Sequence, residues 1–246
     1  MRLQTTLLTF LPFIASCQSN PAAVIQYSNV ASIPAPAGYQ RIETPREGFG
    51  SWLRKMKLKS DNTVYLYNGQ PKKNQSAQFA VLDLHLGKRD LQQCADAIMR
   101  LRAEYLYDKK QYDDIVFYDN NRQAYRPSGL QPDEFEGYLE TVFSRCGTIS
   151  LAASLNAVRP TLPPKPGDVL IKGGSPGHAM IIVDVARNAA GNYVFMLAQS
   201  YMPAQNMHIV LNPAKSTKTP WYEFDPSQPI VTPEWVFSIS QLKSWP

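Results

Sequence analysis

Three residues of this sequence could together carry out acyl transfer. Cys146 follows a helical apolar pattern, His178 opens the apolar run of "GGSPGHAMIIVDVA", and Gln199 falls near the end of the next run, "YVFMLAQS". A thiolate is a nucleophile, an imidazole takes and returns its proton, and a third polar group fixes the imidazole tautomer. Gln199 suits the third role because its amide oxygen accepts from a ring N–H. Cys146 stands between two helical patterns. At the end of a helix over 131–145 the helix dipole raises its pKa; at the start of one beginning at Gly147–Thr148 the dipole lowers it. Both readings stay open, as do a buried structural thiol at 146 and a strand-edge histidine at 178.

Gly177 and Ala179 leave room beside the histidine, and the loop before it could bring backbone N–H groups to an oxyanion. Ser175, Gly177, Ser200 and Tyr201 are therefore candidate groove residues. Other chemistry is weaker. Asp83 and His85 share a strand face, but no HExxH or paired-cysteine spacing accompanies them, so no metal is expected. The "GGSPG" loop lacks the Lys and Ser/Thr of a phosphate loop, and no cofactor is expected. His208 reads as structural. Tyr201, Trp221, Tyr222 and Trp235 could line a groove or fill the core. Asp184 shares a regular-strand face with His178 but lies about 20 Å along it, too far to be its partner.

These residues need elements to position them. Leu91, Cys94, Ala95, Ile98, Leu101 and Tyr105 recur at helical spacing over 90–112, with Asp90 as N-cap. A second helix is expected over 131–145, with Pro132 near its start, and a short third over 146–155. Strands are expected over 63–69, 78–87, 113–118, 167–172, 178–186, 193–200, 206–211 and 233–240. The short connections after residue 167 imply an antiparallel meander, and helices followed by a meander imply an α+β domain. With Arg187 near Asn192 across the hairpin, His178 faces the stretch from Gln199 to Tyr201.

The chain has 246 residues, 44% hydrophobic and 18% charged, enough for one core. A formal charge of +5 comes without a Lys/Arg block, so no nucleic-acid partner is expected. Arg2, the apolar "LLTFLPFIAS" and the sequence Ile14-Ala15-Ser16-Cys17 look like a lipoprotein signal. Residues 1–16 are then the signal, Cys17 takes the lipid, 17–37 form a tether, and 38–246 form a single domain anchored to the membrane. In an oxidising compartment a Cys94–Cys146 disulfide is allowed, and so are two buried thiols.

"PGDVLIKGGSPGHAMIIVDVA" followed by "YVFMLAQSYMPAQNMHIVLNP" resembles the strand core of papain-like cell-wall peptidases, the NlpC-like and CHAP amidase group. That resemblance implies helices packed on an antiparallel sheet. It assigns the nucleophile to Cys146, the base to His178 and the third residue to Gln199. "DLQQCADAIMRLRAEYLY", "GGSPGHAMIIVDVA" and "LAQSYMPAQNMHI" resemble signatures of a family of mostly Bacteroidota lipoproteins known as a domain of unknown function (4846). Against that family the chain looks shortened between about 118 and 132. The combined expectation is an envelope lipoprotein, on the outer membrane facing the periplasm, that hydrolyses peptidoglycan peptide bonds. A non-catalytic cell-wall or glycan binder, or a structural lipoprotein, on the same fold is the alternative.

Overall fold

The computed structural model describes residues 27–246. The signal segment and Cys17 lie outside the described residues. In chain order the elements are β1 (Tyr39–Arg41), α1 (Phe49–Arg54), β2 (Gln78–Val81), α2 (Cys94–Asp108), β3 (Phe117–Tyr118), β4 (Ala124–Tyr125), α3 (Pro132–Arg145), α4 (Thr148–Ser154), β5 (Asn156–Ala157) and β6 (Val169–Lys172). Then follow β7 (His178–Asn188), β8 (Tyr193–Gln199), β9 (His208–Val210), β10 (Trp221–Glu223), β11 (Ile230–Val231), β12 (Val236–Phe237) and β13 (Leu242–Ser244). The architecture is α+β, with one large antiparallel sheet in the order β2-β9-β8-β7-β6-β13-β5; β1 also pairs with β7 and β10 with β8. No described helix is long and apolar enough to cross a membrane.

The meander β6 to β9 is the expected one, and β7 is its centre. Its first nine residues are all buried because both faces of the sheet are covered, so it reads as an apolar run rather than an alternation. Ala179, Ile181 and Val183 join the core beneath α2, whereas Met180 and Ile182 join a second core with Phe237. Arg187 pairs with Tyr193, and a bulge falls between Ile182 and Asp184. That bulge breaks the alternation. Asp184 binds Arg54 of α1, on the side away from Phe237, so it does not share a face with His178 as a regular strand would require.

The helix α2 begins at Cys94, three residues later than the apolar spacing from Leu91 suggests. Asp90 is not its cap. Tight bonds from Leu91 N to Arg89 O and from Gln93 N to Leu91 O turn the chain first, and Asp90 Oδ1 accepts from Ala204 N at 2.7 Å. Gln93 takes the N-cap position, with its N–H donated to Asp96 Oδ2 at 3.0 Å. In α3, Pro132 sits in the first turn as expected, and Gln131 N donates to Glu134.

Other expectations change. Residues 28–37, expected as tether, belong to the folded part: Val30 and Ile33 are fully buried in the main core, and Ser28 O accepts from Leu58 N. Residues 63–69 form isolated bridges and a turn at Gly69 rather than a strand, and 113–118 shrink to a 3-10 turn and the two residues of β3. Asp83 and His85 fall beyond β2 and are exposed, and no metal-binding cluster occurs among the described residues.

Candidate active site

At the start of β7, His178 Nε2 lies 2.8 Å from Gln199 Oε1 at the end of β8. Gln199 Nε2 is 2.9 Å from Glu234 Oε2 and 3.2 Å from His208 Nε2. Glu234 is carried by the β11–β12 hairpin and is held by Lys72 Nζ at 2.5 Å and Asn74 Nδ2 at 3.2 Å. Tyr201, Trp235 and Phe237 surround the His178 ring, with centroids 4.7, 5.3 and 5.9 Å away. Burial pushes the His178 imidazole down to about 4 despite the bond to Gln199, and it does the same to His208. Both rings are therefore neutral at pH 7. His178 Nδ1 has no partner among the described residues.

The two cysteines among the described residues, Cys94 and Cys146, are free there and line one cavity of about 260 Å³. Cys146 falls between helices. It is the C-cap of α3, and Gly147 rather than Cys146 caps α4. Burial, with the charges of Asp119 and Asp96, pushes its thiol up to about 12. Cys94 is the first residue of α2, which packs on β7 and β8. The turn before it is tied to the end of β8, because Ser200 Oγ donates to Gln92 O at 3.0 Å. The β7–β8 register begins only at Ile181↔Ala198, so His178 lies beyond the part of β7 that pairs with β8. The backbone N–H groups of Ala179, the residue after His178, and of Ala95 and Cys94 itself act to lower the Cys94 thiol. Burial and the charge of Asp96 outweigh these donors and set the thiol at about 11.

The other candidates separate by environment. Gly177 does not leave room for substrate. A Cβ there would lie 2.3 Å from Gly174 O and 2.7 Å from Thr148 Oγ1, so the glycine is required for close packing of the loop on α4. Ser175 is exposed and lines the cavity, whereas Ser200 is fully buried and bonded to Gln92 O and Gln205 O. Tyr201 and Trp235 flank His178, while Trp221 and Tyr222 are core. Glu234 and Lys72 carry no sequence signal, since neither stands in a motif.

Asp96 is buried beside Cys94, and its Oδ1 has no partner among the described residues. Burial raises its carboxyl to about 8 against the N–H groups of Gln93 and Asp96. A carboxyl whose folded pKa is raised costs nothing below its unfolded value, and the cost grows as pH rises from about 4 to about 8. Asp96→Asn keeps the cap acceptor and removes that cost. Its melting temperature should match wild type at pH 4 and exceed it by about 5 °C at pH 9, in thermal melts followed by circular dichroism.

The family model described as a domain of unknown function (4846) matches residues 30–128 and 119–244. No curated protein and no solved structure matches the chain.

Proposed function

The chain belongs to the family described as a domain of unknown function (4846), and on that premise we propose that it is a papain-like, NlpC-like thiol hydrolase or amidase acting on peptidoglycan peptide bonds. The proposed nucleophile is Cys94, in place of Cys146. The proposed base is His178, with Gln199 orienting it. The observation that carries this reading is a thiol on the first residue of a 15-residue helix that packs on β7, the strand opened by a histidine that is itself held by Gln199. Cys94 would attack the scissile carbonyl carbon as its proton passes to His178 Nδ1, a transfer that requires the ring, which lies on the Phe237 side of the sheet, to reach the α2 side; backbone N–H groups at the start of α2 are suited to the developing oxyanion. His178 then protonates the leaving amine, and water hydrolyses the thioester. The signal motif ending at Cys17 supports a lipid anchor, on the outer membrane facing the periplasm.

With the histidine at about 4 and the thiol at about 11, the resting pair is neutral rather than thiolate–imidazolium. Protonating His178 removes the base, so activity is lost as pH falls through about 4. Release of peptide fragments from purified sacculi should be level from pH 5 to 9 and drop below pH 4. A loss of activity above pH 7 would contradict the neutral pair. A second reading, a binder without chemistry, is favoured by the burial of His178 and Cys94, 1% and 5% exposed. It predicts sacculus pull-down with no fragments released.

A further inference from the structure

The polar groups around Gln199 fix which way its amide points. Glu234 is a carboxylate: burial works to raise its pKa, but Lys72 and Asn74 outweigh that and hold it low. A carboxylate accepts only, so the Gln199 atom 2.9 Å from Glu234 Oε2 must be the NH₂ nitrogen. His208 makes the same demand. Its Nδ1 lies 3.0 Å from Asn206 O, a carbonyl, and must therefore carry the ring proton. That leaves His208 Nε2 as an acceptor, 3.2 Å from the same Gln199 nitrogen. Gln199 Oε1 is then left for His178, whose Nε2 must donate to it at 2.8 Å. In a neutral ring this leaves the lone pair on Nδ1, the atom without a partner.

We propose that Glu234, brought in by the β11–β12 hairpin and locked by Lys72, is a positioning residue: it holds the Gln199 amide so that His178 keeps its proton on Nε2 and a free lone pair on Nδ1. The relevance to catalysis rests on the reading of His178 as general base; the tautomer itself does not. The hairpin supplies both Glu234 and Trp235, so one short element orients the histidine pair and covers it.

The test is the ring-nitrogen tautomer of each histidine in the full chain, read at pH 7 from long-range ¹H–¹⁵N correlations. In wild type, His178 should show the Nε2–H pattern and His208 the Nδ1–H pattern. The double variant Lys72→Met/Glu234→Met removes the anchor without leaving a buried charge unpaired. It should turn the His178 signal into a mixture of tautomers and lower kcat/KM about tenfold, as loss of an orienting partner does. Asn74→Ala leaves the Glu234 Oε2 contact in place and should keep the wild-type pattern. Should the double variant not fold, Glu234→Asp retains the charge but withdraws the oxygen, and it must shift the pattern in the same direction. An Nδ1–H pattern at His178 in wild type overturns the proposal. So does an unchanged pattern in the double variant, which would assign the anchoring to His208 alone. A chain that shows these tautomer changes but releases no fragments keeps the positioning role and loses the hydrolase reading. One that hydrolyses with its tautomers unmoved does the reverse.

Discussion

Cys94→Ala should lower fragment release from sacculi by about 10⁴-fold or more, the scale of losing a covalent nucleophile, while Cys146→Ala stays within about twofold of wild type. The difference follows from placement, since both thiols line one cavity. Cys94 starts a 15-residue helix, and the backbone N–H groups of Ala179, Ala95 and Cys94 itself act to lower its thiol. Cys146 ends a helix, where the dipole opposes ionisation, and Asp119 and Asp96 add to that opposition. Neither thiol is a resting thiolate. What distinguishes Cys94 is its place at the start of α2, which packs on the strand that His178 opens. The opposite pattern, activity lost in Cys146→Ala and retained in Cys94→Ala, would move the site to the α3–α4 junction.

The largest effect on stability is expected at Asp184. Its carboxylate is fully buried at the β7 bulge, with Arg41 Nε at 2.5 Å on one oxygen and Arg54 Nε at 2.6 Å on the other. The Val185 N–H also donates to it at 2.9 Å. Arg54 reaches on to Ile42 O at 3.0 Å and Thr44 Oγ1 at 3.2 Å, and Arg41 bonds Ile33 O. One carboxylate thus ties β1, α1 and the 3-10 turn at Val30–Ser32 to the central strand. Asp184→Ala leaves two largely desolvated guanidinium groups without their counter-charge, at a cost of about 3–5 kcal/mol. Urea unfolding should show that loss as a lower midpoint. A change under about 1 kcal/mol would mean that the two arginines find other acceptors.

Much of the fold was legible because it rests on local patterns. Helical spacing placed α2 and α3, and short connections made β6 to β9 an antiparallel meander. Counting across the β7–β8 hairpin brought the start of β7 opposite Gln199. What was not legible depended on bonds between distant segments. Asp90 has the chemistry of an N-cap, but its carboxylate is engaged by Ala204, and the N-cap falls three residues later, at Gln93. That shift turns Cys94 from a core-facing residue into a helix-start thiol. The β7 bulge moved Asp184 off the histidine's face, which no alternation pattern announces. Glu234 and Lys72 meet across most of the chain, and neither stands in a motif. Val30 and Ile33 sit in a Ser/Asn/Ala/Pro-rich stretch that composition assigns to a tether, yet both are buried.

On the proposed mechanism Cys94 forms a covalent acyl intermediate. Acid quenching of the wild-type protein during turnover on sacculi or a stem-peptide substrate, followed by peptide mapping by mass spectrometry, detects it. A peptide-acyl mass on the fragment containing Cys94, absent in His178→Ala, is the predicted result. An adduct on Cys146, or turnover with no adduct on either cysteine at any quench time, would contradict it.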